Sequence, residues 1–280
     1  NVDRLCRTRL IVISSVAHRV HDTIRKYNWM DHLLRATANA EARHFWFRGF
    51  RAFVNPLIRY AAAQRTTCGP LRVLDCGCGT GSNLSLLNQA GRAFGFDISA
   101  TGLRLGRQAG RTLLARGSVA AAPFPSAAFD IVTSFDVLYS LDDRMERAAI
   151  AEMFRLLKPG GFAIVNVAAM EALRGDHSVL SHEIRRYSRS SLRDRLTAAG
   201  FRIQRITYTN FTLFLPMLAA RTVQRWRGLK SESEAQQEIS VPPEPVNAAL
   251  TALLWLESLY LRVFDAPAGS SLLCLAQKPD

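Results

Sequence analysis

Short apolar runs alternate along this chain with longer stretches in which apolar residues recur every three or four positions. The first pattern predicts buried strands and the second amphipathic helices. Strands are predicted at Leu71–Leu74, Arg92–Ser99, Thr112–Val119, Ile131–Leu138, Phe162–Val167, Phe201–Thr209 and Ser271–Gln277. Helices are predicted over Asn55–Ala63, after Ser82 with Leu84 and Leu87 on one face, over Met145–Leu157, and over Ser188–Ala199 ending at Gly200. Residues 1–40 mix apolar and basic residues and read as one or two helices without a motif. Strands alternating with helices predict an α/β fold.

An insertion separates the last two strands. Phe211–Trp226 is an apolar helix, with a kink expected at Pro216 and Arg221, Arg225 and Arg227 at its end. Ser231–Pro245 is an acidic, proline-containing linker, and Asn247–Phe264 is a second apolar helix. Packing of the two helices on each other is the default reading. A lid over a lipid-like substrate, or a patch lying on a membrane surface, is the sharper one.

The first strand runs into an acid, Asp75, and then into three alternating glycines, Gly77, Gly79 and Gly81. A strand feeding a glycine-rich turn and a helix is the architecture of a nucleotide site, because glycine lets backbone approach a ligand closely. A dinucleotide fingerprint needs G-x-G-x-x-G, and the sixth position here is Ser82. A phosphate-binding P-loop needs Gly-Lys-Ser/Thr, and this turn has no lysine. G-x-G-x-G after an acid suits a cofactor without phosphates and with an amino-acid tail. The second strand ends in Asp97, which lies where a parallel fold puts the tip of the neighbouring strand; a carboxylate there can accept both hydroxyls of a ribose.

The glycine motif resembles that of class I S-adenosylmethionine (SAM)-dependent methyltransferases, specifically the type 11/12-like small-molecule subgroup of bacteria. Four further stretches are similar to that family: Gly95-Phe-Asp-Ile-Ser99, Ala122-Pro-Phe-Pro-Ser-Ala-Ala-Phe-Asp130, Arg155-Leu-Leu-Lys-Pro-Gly-Gly161, and the lead-in His44-Phe-Trp-Phe-Arg48. The resemblance implies a Rossmann-like, seven-stranded, mostly parallel sheet with the last strand antiparallel and helices on both faces. It implies an N-terminal helical cap over residues 1–66 and a methyltransferase domain over 67–280, with a helical insertion at 211–265.

The resemblance also implies the roles of residues. Asp75, Gly77, Gly79, Gly81, Asp97, Ile98, Ser118, Val119 and Phe135 would hold SAM, with Arg48 meeting its carboxylate and Arg51 the other candidate. The family usually has an acid where Ser118 stands, so the Val119 backbone is the safer adenine partner; it commonly has a histidine where Ser140 stands. Trp46, Tyr139, Arg185, Arg186 and Tyr187 are candidates for the acceptor site, the arginines suiting a carboxylate or phosphate. His182, then His177, are the candidate bases for an oxygen nucleophile. They lie in a stretch dense in titratable groups; its bland reading is a solvated loop whose arginines pair with Asp176 and Glu183.

Composition adjusts this picture little. The 280 residues carry a formal net charge of +13, which invites nucleic acid or an anionic membrane. The charge is nearly all arginine spread along the chain, with lysine only at 26, 158, 230 and 278, and no nucleic-acid-binding module accompanies it. The absence of an Asn/Asp-Pro-Pro-Tyr/Phe motif also tells against methylation of a base amino group. A SAM-binding partner subunit without turnover and a nucleic-acid methyltransferase are the alternative readings. Five cysteines without framework spacing predict reduced thiols, no metal site and a cytoplasmic setting, with contact at the inner face of the membrane as an extension. Arg4–Arg9 followed by Leu10-Ile-Val-Ile is too short an apolar stretch to expect a signal peptide.

Overall fold

A computed structural model describes residues 34, 35, 37, 38, 40–64, 69–229 and 241–280. The expected helices and leader before residue 34, Cys6, Cys68 and most of the 231–245 linker lie outside the described residues.

Seven strands form one sheet: β1 (Arg72–Cys76), β2 (Arg92–Asp97), β3 (Leu114–Arg116), β4 (Phe129–Phe135), β5 (Leu157–Ala168), β6 (Arg202–Thr209) and β7 (Ser271–Gln277). Their spatial order is β3-β2-β1-β4-β5-β7-β6. The pairs from β3 to β5 are parallel, and β7 runs antiparallel between β5 and β6. The central strands are covered on both faces, so they read as continuous apolar runs; residues 161–169 of β5 and its end are all buried.

The helices are α1 (Phe45–Ala63), α2 (Leu84–Leu87), α3 (Ala100–Gln108), α4 (Asp143–Leu156), α5 (Asp176–Leu180), α6 (Arg189–Ala198), α7 (Phe214–Trp226) and α8 (Glu244–Tyr260). α1 starts ten residues before the predicted Asn55, because His44 caps it: the Trp46 amide donates to His44 Nδ1 at 3.1 Å. Pro56 therefore sits inside the helix instead of opening it. Phe53, Val54, Leu57 and Ile58 of α1 pack into the same core as the sheet.

The insertion departs from its default reading. α8 packs on α1, where a Cβ on Gly49 would overlap Leu254. Buried Asn247 of α8 also accepts the Phe45 amide at 2.8 Å and donates to the Arg43 carbonyl at 3.0 Å. α7 buries none of its residues. It meets α8 at its entrance, where Glu257 accepts from the Phe211 amide at 2.9 Å and from the Thr212 amide at 3.0 Å. Pro216 falls in the first turn of α7, where its missing N–H costs no helical bond. Lys158-Pro-Gly-Gly161, ahead of the expected fifth strand, lies within β5, with Gly160 at a φ of 72°.

Candidate functional site

The glycine turn leaves β1 at the carboxyl edge of the sheet. Gly77, Gly79 and Gly81 all have positive φ, at 76°, 56° and 75°. A side chain at Gly77 would lie 2.5 Å from Val137 Cγ2, so the turn is pressed against the segment leaving β4. Leu34 packs over Gly79 and Gly102. The Thr80 hydroxyl donates to Glu41 Oε2, and the Arg111 guanidinium donates to the Thr80 carbonyl at 3.1 Å. The turn is thus held from the lead-in side and from beyond α3.

Asp97 closes the same turn. Its Oδ2 accepts the Gly79 amide and its Oδ1 the Ser99 amide, each at 2.8 Å. Asp97 thus pins both the glycine turn and the segment that opens α3. Asp75 lies deeper, 1% exposed, with Oδ1 accepting the Thr133 hydroxyl at 2.7 Å. Burial pushes its carboxyl up to about 7, with Thr133 opposing and Asp97 adding to the rise. Asp75 therefore supports the turn from beneath.

Other expected cofactor residues sit around this turn. Phe135 ends β4 and stacks edge-on against Phe50 of α1, with centroids 5.0 Å apart. The Ile98 carbonyl accepts Arg116 Nε at 3.2 Å. Ser118 Oγ accepts the Ala120 amide at 3.3 Å, folding its loop on itself, and Val119 follows, half-buried. The two candidate arginines change order. Arg48 has an exposed side chain, and its amide donates to the His44 carbonyl at 3.2 Å. Arg51 is half-buried and donates to the Glu41 carbonyl at 2.9 Å, beside the side chain that holds Thr80. Burial lowers its pKa and Glu41 opposes the change.

The acceptor candidates fare differently. Arg185 pairs with Glu146 and with Asp143, the latter at 3.1 Å, and Arg195 also pairs with Glu146. Tyr187 is buried and donates its hydroxyl to Glu146. Its pKa is pushed far up, by burial first and by Glu146 next. Arg186 pairs with Glu183 at 2.8 Å and donates to the Ala169 carbonyl at 3.0 Å. Arg185 and Tyr187 thus tie the loop after β5 to Glu146 of α4, and Arg186 is held within that loop. The bland reading of arginines pairing locally was right for Arg186 and Glu183.

Tyr139 is 7% exposed in the 3-10 turn after β4, and its carbonyl accepts the Ile184 amide at 2.9 Å. Trp46 is half-buried and meets Phe45 edge-on at 6.4 Å. His182 is exposed with φ 48°, and half-buried His177 lies near enough to Glu183 to lower its pKa.

Sequence reasoning passed over Asp136. It follows Phe135 directly, has φ 59°, and accepts Asn166 Nδ2 on Oδ1 at 2.9 Å. Its amide donates to the Asn166 carbonyl at 3.0 Å. Asp136 keeps solvent access although protein atoms surround its carboxylate. Its position at the ligand edge of β4 was the available signal.

Residues 74–165 match the family model for a methyltransferase domain. Those residues carry a methyltransferase domain of the class I SAM-dependent kind. A methyltransferase relative from Mycolicibacterium smegmatis, named "Probable S-adenosylmethionine-dependent methyltransferase/", is 28% identical over 165 residues, covering 58% of this chain and 61% of that one. Demethylmenaquinone methyltransferase of Lactiplantibacillus plantarum is 38% identical over 109 residues, covering 35% of this chain and 45% of that protein. The chain thus spans less than two thirds of the length of both relatives. Among solved structures, the methyltransferase bound to the Trm112 activator of Haloferax volcanii superposes with a TM-score of 0.55 at 20% identity, covering 91% of this chain and 96% of that chain. That likeness is one of fold.

Proposed function

We propose that this chain transfers the methyl group of SAM to a small-molecule acceptor, an oxygen nucleophile on an acidic or lipid-like metabolite. The observation that carries the cofactor half is the closure of the glycine turn on Asp97, with Gly79 donating to Oδ2 at 2.8 Å. Three positive-φ glycines, a strand-end carboxylate and a half-buried arginine nearby fit a ligand with a ribose and an amino-acid tail. SAM supplies a sulfonium methyl that is already electrophilic. The chain's part is to grip the cofactor, to orient the acceptor and to exclude water. Asp97 and Ile98 would take the ribose, the Ser118–Val119 segment the adenine edge, and Phe135 with Phe50 the floor. Arg51, with Arg48 behind it, would meet the carboxylate.

The lipid-like acceptor rests on the insertion. α7 presents Leu215, Val223 and Trp226 outward, and α8 presents Trp255, Leu256 and Tyr260. From Phe211 to Leu229 the chain has three arginines and no carboxylate. Aromatic and aliphatic side chains beside arginines favour contact with an anionic lipid surface. Among the described residues no helix is long and apolar enough to cross a membrane.

Calorimetric titration of SAM and S-adenosylhomocysteine into the wild type and Asp97→Ala tests the cofactor half. Micromolar binding abolished by Asp97→Ala supports it, and no binding by folded wild type removes it. SAM binding without methyl transfer to any acceptor would favour a non-catalytic partner subunit. Steeply salt-dependent RNA binding with transfer into RNA would favour a nucleic-acid substrate.

A further inference from the structure

We propose that Asp136 is the catalytic base, taking the proton from the acceptor's nucleophilic oxygen. This inference rests on the methyltransferase reading. Asp136 stands between Phe135, which packs on Phe50 of α1, and Val137, which presses on Gly77 of the glycine turn. Its carboxylate is thus one residue from a direct contact with the turn that would hold SAM. The backbone is held at a φ of 59°, a conformation that non-glycine residues adopt rarely and that recurs at functional sites. Two hydrogen bonds with Asn166 of β5 fix it there, one from each end of the residue. Only Oδ1 is engaged by Asn166, so Oδ2 is left to accept a proton.

The surroundings suit a base that works near neutral pH. Crowding by protein pushes the Asp136 carboxyl up to about 7. Asn166 and Arg186 pull it down and Glu183 pushes it up, while Tyr139 is the neighbouring titratable group in the turn that follows. A base with a pKa close to the working pH is present in its basic form and still accepts a proton readily.

The step balances simply. An oxygen lone pair of the acceptor forms the bond to the methyl carbon. The methyl–sulfur bond breaks and its electron pair stays on sulfur, giving S-adenosylhomocysteine. The O–H bond breaks, its electrons remain on oxygen, and the proton passes to Asp136 and from there to water.

Asp136→Asn is a clean test, because asparagine tolerates positive φ and keeps the Oδ1 bond from Asn166. Two measurements apply. The first is a 13C NMR titration of aspartate carboxyls in the S-adenosylhomocysteine complex, with Asp136 assigned through the variant. The second is transfer from labelled SAM to a hydroquinone and to 4-nitrophenol at about pH 8, where the nitrophenol is already ionised. The expected results are a carboxyl midpoint near neutrality, S-adenosylhomocysteine affinity within about twofold of wild type, and hydroquinone methylation reduced by about 100-fold or more. With 4-nitrophenol the defect should shrink to a few-fold, because no proton has to be removed. A carboxyl midpoint below about pH 5, or equal losses on both phenols, overturns the proposal while leaving the methyltransferase reading intact. Failure of the wild type to bind SAM at all overturns both.

Discussion

The Thr80 hydroxyl donates a 2.8 Å hydrogen bond to Glu41 Oε2, tying the glycine turn to the segment ahead of α1. A bond to a charged acceptor contributes about 1.5–3 kcal/mol when partly shielded. Thr80→Val should therefore weaken SAM binding by about threefold to tenfold, since the turn loses its anchor while Asp97 stays in place. Titration calorimetry with circular dichroism as a folding control checks this. Unchanged affinity would mean that the bond does not hold the turn in its binding shape.

Gly77→Ala should nearly abolish cofactor binding. Its φ of 76° costs an L-residue about 1–2 kcal/mol, and the new Cβ would lie 2.5 Å from Val137 Cγ2. The double variant Gly77→Ala/Val137→Ala removes the collision and keeps the backbone cost, so affinity should recover in part. Full recovery would place the whole effect in the collision, and no recovery would place it in the backbone.

The Glu146 cluster predicts loss of stability where an acceptor site would predict loss of substrate affinity. Glu146 is fully buried and faces Arg185, Arg195 and the Tyr187 hydroxyl. Removing its charge strands two arginines against a closed pocket, a change of about 3–5 kcal/mol in comparable buried pairs. Glu146→Gln should lower the denaturation midpoint sharply, and Arg185→Ala should do so more mildly because Arg185 is partly exposed. A variant of Arg185 with native stability and a raised KM for an acceptor would restore the substrate assignment.

Stability should fall as pH rises through neutrality. Asp75 titrates at about 7 in the folded chain, above the roughly 3.9 of an unfolded aspartate. Between those values the folded state holds a proton that the unfolded state has released, so the advantage is present below about pH 4 and lost by about pH 7. Asp136 acts in the same direction. Asp75→Asn keeps an oxygen for the Thr133 hydroxyl and should flatten the profile, adding on the order of 1–4 kcal/mol at about pH 8. Urea unfolding at about pH 5 and pH 8 measures both; an unchanged slope in the variant would exclude Asp75 as its source.

What the sequence revealed and what it hid have physical causes. Gly77, Gly79, Gly81 and Asp97 were legible because positive φ and a strand-end acid leave local marks in residue type. The seven strands were legible because a sheet buried on both faces needs unbroken apolar runs. The start of α1 was misread because proline favours the first turn of a helix, so Asn55-Pro56 looked like an opening; His44 already supplies the cap. Arg185 and Tyr187 looked available because nothing local shows that Glu146, 39 and 41 residues away, would be buried beneath them. Asp136 was passed over because its backbone twist and its Asn166 partner exist only once β4 and β5 lie side by side.

The Asn247 bridge to Phe45 and Arg43 spans 202 and 204 positions. On the ribosome, the helix bearing Trp46, Arg48 and Arg51 leaves the exit tunnel long before Asn247, which accepts its first amide, is made. At 5–20 residues per second the wait is about 10–40 s. During that time the apolar face of α1 has the early strands to rest on but lacks Leu254, which fills the notch at Gly49. Completion of the α1 wall therefore waits on α8, and a ribosome stalled before α8 would carry that wall open on one flank.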